Sequence, residues 1–225
     1  MKYRSIAIDG PSGAGKSTLA RRLARELGFL YVDTGAIYRT VGLAVRDRGI
    51  DPGQAGAVTE LLPKLAITMG YGKDGLQHMF LNGEDVTAAI RENEISAYAS
   101  KVASIPEVRE FLMEMQRKMA REHDVIMDGR DIGTVVLPGA DLKMFLTAAP
   151  KARAQRRYQE LLERGQQADF EQVLSEVVER DRRDMERETA PLRQAEDAVL
   201  ADTTELDLEG SFQLLLELIR DRFEL

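Results

Sequence analysis

Short apolar runs alternate with segments of helical period along the chain. Ile6-Ala7-Ile8, Phe29 to Val32, Val125 to Met127, Leu142 to Leu146 and Ala198 to Ala201 read as buried strands. Three of them close on a carboxylate, at Asp33, Asp128 and Asp202, and Asp9 follows the first. Between them lie amphipathic patterns. Leu19, Leu23 and Leu27 recur at i, i+4, i+8, and Ile37, Val41 and Val45 mark one face of a helix from Thr34 to Arg48. Gly49 stops that helix, with Thr34 as its expected N-cap. A shorter helix is expected over Asp51 to Pro63. Pro106 opens another, running to about Glu122, with Val108, Leu112, Met115 and Met119 as core residues. Charged helices follow from Pro150 to Arg164, broken by Gly165, and from Phe170 to Glu188, stopped before Pro191. An amphipathic helix from Leu206 to Phe223 ends the pattern. Strands separated by helices predict an α/β fold, a parallel sheet flanked by helices with right-handed crossovers.

The stretch from about Leu65 to Ser104 breaks this alternation. Ala66 to Met69 and Gln77 to Leu81 read as short strands, and Asn82-Gly83 supplies two positions that tolerate positive φ. A small antiparallel insertion is expected there, followed by a polar helix reaching Ala103.

The 225 residues suffice for one α/β domain with small insertions. No apolar run approaches the ~20 residues of a membrane span, and the first residues lack a signal-peptide pattern, so a cytoplasmic protein with no membrane partner is expected. Cysteine is absent, which excludes disulfides and thiolate sites, and His78 and His123 stand apart. The net charge of −7 argues against a nucleic-acid partner. Positive charge is local instead: nine arginines lie between residues 151 and 193. About half of them fit a solvated face laced with i,i+4 ion pairs. The others suit bidentate phosphate binding. Arg180, Arg183 and Arg187 are spaced i, i+3, i+7, as if on one face.

The first strand runs into Gly10-Pro11-Ser12-Gly13-Ala14-Gly15-Lys16-Ser17-Thr18, a complete G-x-x-x-x-G-K-[ST] loop. In strand–loop–helix context these nine residues are the expected ATP-binding set. Glycines let the backbone N–H groups turn inward, the helix start adds a positive dipole end, Lys16 supplies a cation, and Ser17 can ligate Mg²⁺. Asp9, Asp33 and Asp128-Gly129-Arg130-Asp131 follow apolar strands and belong near the loop. Asp128 is the expected metal partner of Ser17, directly or through water. A phosphate acceptor is already nucleophilic and needs cations more than a general base. An Arg-rich segment that closes would hold two sets of phosphates together and exclude water.

Nearly the whole chain closely resembles bacterial cytidylate kinases, the (d)CMP kinases of the nucleoside monophosphate kinase family. The resemblance is carried by Ile8-Asp9-Gly-Pro-Ser-Gly-Ala-Gly-Lys-Ser-Thr18, Asp33-Thr-Gly-Ala-Ile-Tyr-Arg39, Asn82-Gly-Glu-Asp-Val-Thr-Ala-Ala-Ile-Arg91 and Ser100-Lys-Val-Ala. Pro106-Glu-Val-Arg109, Asp128-Gly-Arg-Asp-Ile-Gly-Thr-Val-Val136 and Arg180-Asp-Arg-Arg-Asp-Met-Glu-Arg187, followed by Ala-Pro-Leu192, complete it. It implies a P-loop NTPase-type core (about 1–64, 105–149 and 190–225), an NMP-binding insertion with a small antiparallel sheet (about 65–104), and a helical Arg-rich lid with its flanking helix (about 150–189). It also implies transfer of phosphate from ATP, with Mg²⁺, to CMP and dCMP, in a monomer.

By position, the resemblance makes Lys16, Arg130, Arg153, Arg157 and Arg187 the catalytic cations, Arg153 and Arg157 being the lid arginines that reach the transferring phosphoryl group. The implied CMP-binding set is Thr34, Arg39, Ser100, Arg109, Arg130, Asp131, Arg180, Asp184 and Arg187. Arg39, Arg130 and Arg187 attend the phosphate, Arg180 and Asp184 the ribose, and Ser100, Arg109 and Asp131 the base. The chemistry fits: Asp131 can accept from the amino group at C4, while Arg109 and Ser100 can donate to O2 and N3. Uracil would set a carbonyl against the carboxylate, a mismatch of about 1–3 kcal/mol. The rivals are a kinase of UMP, AMP, pantoate or shikimate, a GTP-binding switch, and a nucleic-acid-dependent ATPase. The second lacks its Asn-Lys-x-Asp guanine-reading pattern.

Overall fold

A computed structural model describes residues 3–73 and 75–224 of the chain. The strands β1 (Ser5–Asp9), β2 (Leu30–Asp33), β6 (Val125–Gly129), β7 (Leu142–Thr147) and β8 (Val199–Asp202) form a five-stranded parallel sheet in the order β2-β6-β1-β7-β8. Ile6 pairs with Leu142 and Asp9 with Phe145 across β1 and β7, and Met144 with Val199 across β7 and β8. Ile6, Ala7, Ile8, Val125, Ile126 and Met127 are all inaccessible to solvent, as expected of buried runs. But β8 lies at the edge of the sheet and exposes Val199 and Leu200, so of that apolar run only Ala201 is fully buried and the expectation of a buried strand there is corrected. Helices α1 (Lys16–Leu27), α2 (Thr34–Asp47), α3 (Ala55–Leu61), α4 (Asn93–Val102), α5 (Pro106–Glu122), α6 (Pro150–Glu163), α7 (Phe170–Glu186) and α8 (Leu208–Phe223) follow the predicted order. Among the described residues no helix is long and apolar enough to cross a membrane.

The chain divides into two compact units, one of Leu30–Val125 and one of Arg4–Phe29 with the chain from Ile126 onward. The first contains the second sheet, in which β3 (Ile67–Tyr71), β4 (Gln77–Leu81) and β5 (Glu84–Asp85) run antiparallel in the order β3-β4-β5. Asn82 and Gly83 take φ of 53° and 88° at the turn between β4 and β5, as the Asn-Gly pair predicts. In the same unit α2 and α4 cross closely. A Cβ on Gly42 would lie 2.9 Å from the backbone nitrogen of Ala99, so only glycine admits α4, which carries Ser100.

In the second unit α6 and α7 share a satellite core of Ala154, Val173 and Val177, closed by Leu161, Phe170 and Leu174. Tyr158 meets Phe170 edge-on at 6.0 Å. Three further expectations need correction. The N-cap of α2 is Asp33, whose carboxylate accepts from Ala36 N at 2.8 Å, and Thr34 is the first helical residue. Val108 and Leu112 are core, but Met115 and Met119 are only half-buried, and Gln116 takes the inward position. Helix α7 ends at Glu186, so Arg187 lies beyond it in extended backbone (φ −59°, ψ 136°) and shares no helix face with Arg180 and Arg183.

Candidate active site

The phosphate loop joins β1 to α1 in the second unit. At Gly10 (φ 149°) a Cβ would sit 1.9 Å from the carbonyl oxygen of Leu146, so the loop can leave the sheet only on a glycine. Gly15, at φ 86°, starts α1 with no side-chain cap and no acid in the first turn. The first N–H groups of the helix are therefore left to an anion. Lys16 is 6% exposed and its Nζ donates to Pro11 O at 2.7 Å across the loop. Burial, and then the Arg130 guanidinium, hold its ammonium well below the ordinary lysine range, against the pull of Asp128, Asp184 and Asp9. Ser17 Oγ donates to Asp128 Oδ2 at 2.8 Å, which brings together the two expected metal ligands.

Beyond β6 the chain makes a single π-helical turn, Ile132–Val136, of the kind that recurs at functional sites. Asp9 braces it. The two carboxylate oxygens accept from the backbone N–H of Ile132 at 2.8 Å and of Gly133 at 2.7 Å. Burial lifts this carboxyl to about 6, although Gly133, Ile132 and Lys16 favour its charged form. The turn presents Arg130 and Asp131. Arg130 Nε donates to Asp184 Oδ2 at 2.8 Å, and Arg187 Nη2 lies 3.6 Å from Asp131 Oδ1. Burial pushes the Asp184 carboxyl up, but Arg130, Arg180 and Arg187 together hold it below the ordinary range. Arg187 Nε also donates to Ala190 O at 2.6 Å. Arg130, Asp131, Arg180, Asp184 and Arg187 thus form one network of alternating charge.

The remaining arginines of this region separate by environment. Arg153 is 2% exposed and forks onto Asp181 at 3.0 and 2.5 Å. Arg156 donates to Thr203 O and Leu206 O. Arg157 pairs with Glu160 one turn along its own helix, as do Arg164 with Glu160, and Arg182 and Arg183 with Glu179. These four form the expected ion-paired surface, and such pairs contribute little stability.

In the first unit Asp33, at the end of β2, accepts from Arg39 Nη2 at 2.8 Å. Gln77 clamps the Asp33 peptide, accepting from its N–H at 2.7 Å and donating to its carbonyl at 3.2 Å. Arg109 is buried on α5, donates to Ala103 O at 3.3 Å, and has its guanidinium 5.5 Å from the ring centre of Tyr38. Thr34 is buried at the start of α2, and Ser100 is half-buried on α4.

Gln77, Tyr38, Asp181 and the bracing part played by Asp9 were missed in the sequence. For Asp181 a signal existed: Val173, Val177, Asp181 and Asp184 fall at intervals of four, four and three, and all are buried. The apolar stripe of α7 continues in carboxylates. Reading the arginines as the informative residues hid the acids between them.

A family model described as cytidylate kinase matches residues 6–221. A cytidylate kinase from Caldicellulosiruptor bescii is 52% identical over 97% of this chain and 96% of its own, and one from Exiguobacterium sp. is 47% identical over 98% of each. Among solved structures, an uncharacterized protein from Eubacterium ventriosum aligns with a TM-score of 0.50 at 12% identity, over 96% of this chain and 98% of its own. That likeness bears on the fold alone.

Proposed function

The chain belongs to the cytidylate kinase family, and we propose that it transfers the terminal phosphoryl group of ATP to CMP and dCMP. The observation that carries this reading is the charge network of Arg130, Asp131, Asp184 and Arg187 in the unit that also holds the complete phosphate loop. An enzyme joining two phosphates needs cations for both, and no covalent intermediate. A phosphate oxygen of CMP forms the new bond to the γ-phosphorus, the bond to the bridging oxygen breaks, and ADP leaves with that electron pair. Loop N–H groups and Lys16 hold the donor. Arg39, Arg130 and Arg187 neutralise the acceptor phosphate, which releases Arg130 and Arg39 from their carboxylates Asp184 and Asp33. Of the lid arginines, Arg157 turns to the phosphates, a reading supported by the weakness of its half-buried pairing with Glu160 on the same helix. Arg180 and Asp184 hold the ribose, Thr34 belongs to the CMP-binding set through its hydroxyl, and Ser100, Arg109 and Asp131 read the base.

Mg²⁺ suits the pair of hard oxygens at Ser17 and Asp128, because this ion keeps most of its water and asks for few protein ligands. When bound it supplies positive charge to the donor phosphates. We place the reaction in the cytoplasm and read the working form as a monomer, a P-loop core with its NMP-binding insertion and lid. A panel of nucleoside monophosphates with MgATP tests the reading through ADP release. CMP and dCMP should be preferred by at least about tenfold over UMP. Preference for AMP or shikimate would refute it.

A further inference from the structure

We propose that Arg153 and Asp181 form a buried strut that keeps the phosphate loop in its anion-binding shape. Arg153 then acts on ATP through the loop backbone and is a positioning residue that does not touch the transferring phosphoryl group. This rests on the loop being the ATP site. The guanidinium spends its donors inside the protein: Nε on Ala148 O at 2.7 Å, Nη1 on Ser12 O at 2.9 Å and on Asp181 Oδ1 at 3.0 Å, and Nη2 on Asp181 Oδ2 at 2.5 Å. Three separate pieces of chain meet on it: the end of β7, the phosphate loop and α7. Reaching a phosphate would strand a carboxylate and two carbonyls.

Its bond to Ser12 O has a geometric consequence. In a trans peptide the carbonyl and the next N–H point in opposite directions. A Ser12 carbonyl drawn toward α6 therefore turns the Gly13 N–H away from α6, to the side where a loop N–H can meet phosphate. Gly13 itself, at φ 76°, has Arg153 against it, since a Cβ there would lie 3.3 Å from Arg153 Cβ. Backbone packing and the guanidinium thus fix the same peptide. Asp181 in turn fixes the guanidinium, a bidentate pair with a single geometry.

The test is equilibrium binding of a non-hydrolysable ATP analogue and, separately, of CMP, to Arg153→Met, Asp181→Asn and the double variant, with melting curves to confirm folding. The analogue should bind about tenfold more weakly to either single variant, the size of one lost charge-assisted hydrogen bond. The double variant should be no worse than the weaker single, and CMP affinity should hold. If Arg153→Met does not fold, Arg153→Lys, which cannot make the fork, replaces it. The strut is overturned if turnover falls with analogue binding unchanged, if Asp181→Asn binds the analogue like wild type, or if the losses add. Wild-type protein that fails to bind the analogue would overturn the donor-site reading along with the strut. Failure of the CMP preference alone leaves the analogue measurement intact as a test of the strut.

Discussion

Replacing Asp9 with Asn should alter how stability responds to pH, in an amount that follows from its surroundings. Burial raises this carboxyl from the ordinary 3.8 to about 6, with Asp131 adding to the rise and the N–H groups of Gly133 and Ile132, together with Lys16, opposing it. An acid whose folded value is raised disfavours the folded state wherever it is ionised. The protein should therefore gain stability from this group as pH falls through about 6 toward 3.8. The complete shift is worth about 3 kcal/mol, of which about 1.4 kcal/mol appears at pH ~5, one pH step below the folded value. Asn cannot titrate. Its carbonyl can keep one N–H bond, but its amide then faces the other N–H and strands a buried donor, at about 1–3 kcal/mol. Near neutral pH that loss and the relief of a buried charge nearly cancel, so both proteins should unfold at similar urea concentrations. At pH ~5 wild type should be ahead by about 1.4 kcal/mol more. A stability gap independent of pH would refute the reasoning. Because Arg130 and Asp131 immediately precede the braced turn, KM for CMP should also rise by about tenfold, with less change for ATP.

Gly10→Ala should be severe, because the new Cβ would fall 1.9 Å from a backbone carbonyl that no side-chain rotation can move. A cost of about 3 kcal/mol corresponds to a Tm lowered by about 10 °C, read by differential scanning calorimetry. Asp131→Asn should reduce kcat/KM for CMP more than for UMP, narrowing their ratio about tenfold or more. Equal losses for the two acceptors would remove Asp131 from base selection.

Strand order aside, most of the fold was legible, because buried parallel strands leave uninterrupted apolar runs and helices leave a period. Pro106 at the start of α5 and Gly165 after α6 are local signals with local causes. What escaped depends on distant partners. Thr34 looks like a cap in isolation, yet Asp33 caps because the end of β2 turns its carboxylate back over Ala36. The π-helical turn at residues 132–136 has no sequence period of its own and exists because Asp9 binds two successive N–H groups from 123 and 124 positions away. The phosphate loop was legible to the residue, since its glycines answer to local φ and close approach. The sorting of the arginines was not, because burial decides it, and burial at Arg153 is set by Ser12 and Asp181.

The sorting bears on how such a site keeps phosphate specificity with so much charge. The buried cations described in the second unit already have internal acceptors, Lys16 in Pro11 O, Lys143 in Asp197 and Arg153 in Asp181, and so do the half-buried Arg130, in Asp184, and Arg187, in Asp131 and Ala190 O. An unpaired buried cation would be costly, and a stray anion would relieve that cost indiscriminately. With acceptors in place, an incoming group must outcompete a carboxylate or carbonyl at several points together, which a single small anion cannot do. Lys16 shows the principle most sharply. Burial depresses its ammonium, and arriving phosphate charge favours the charged form that burial disfavours. Pairing in the ligand-free state thus acts as a threshold that favours a ligand bringing several phosphates over one bringing a lone charge.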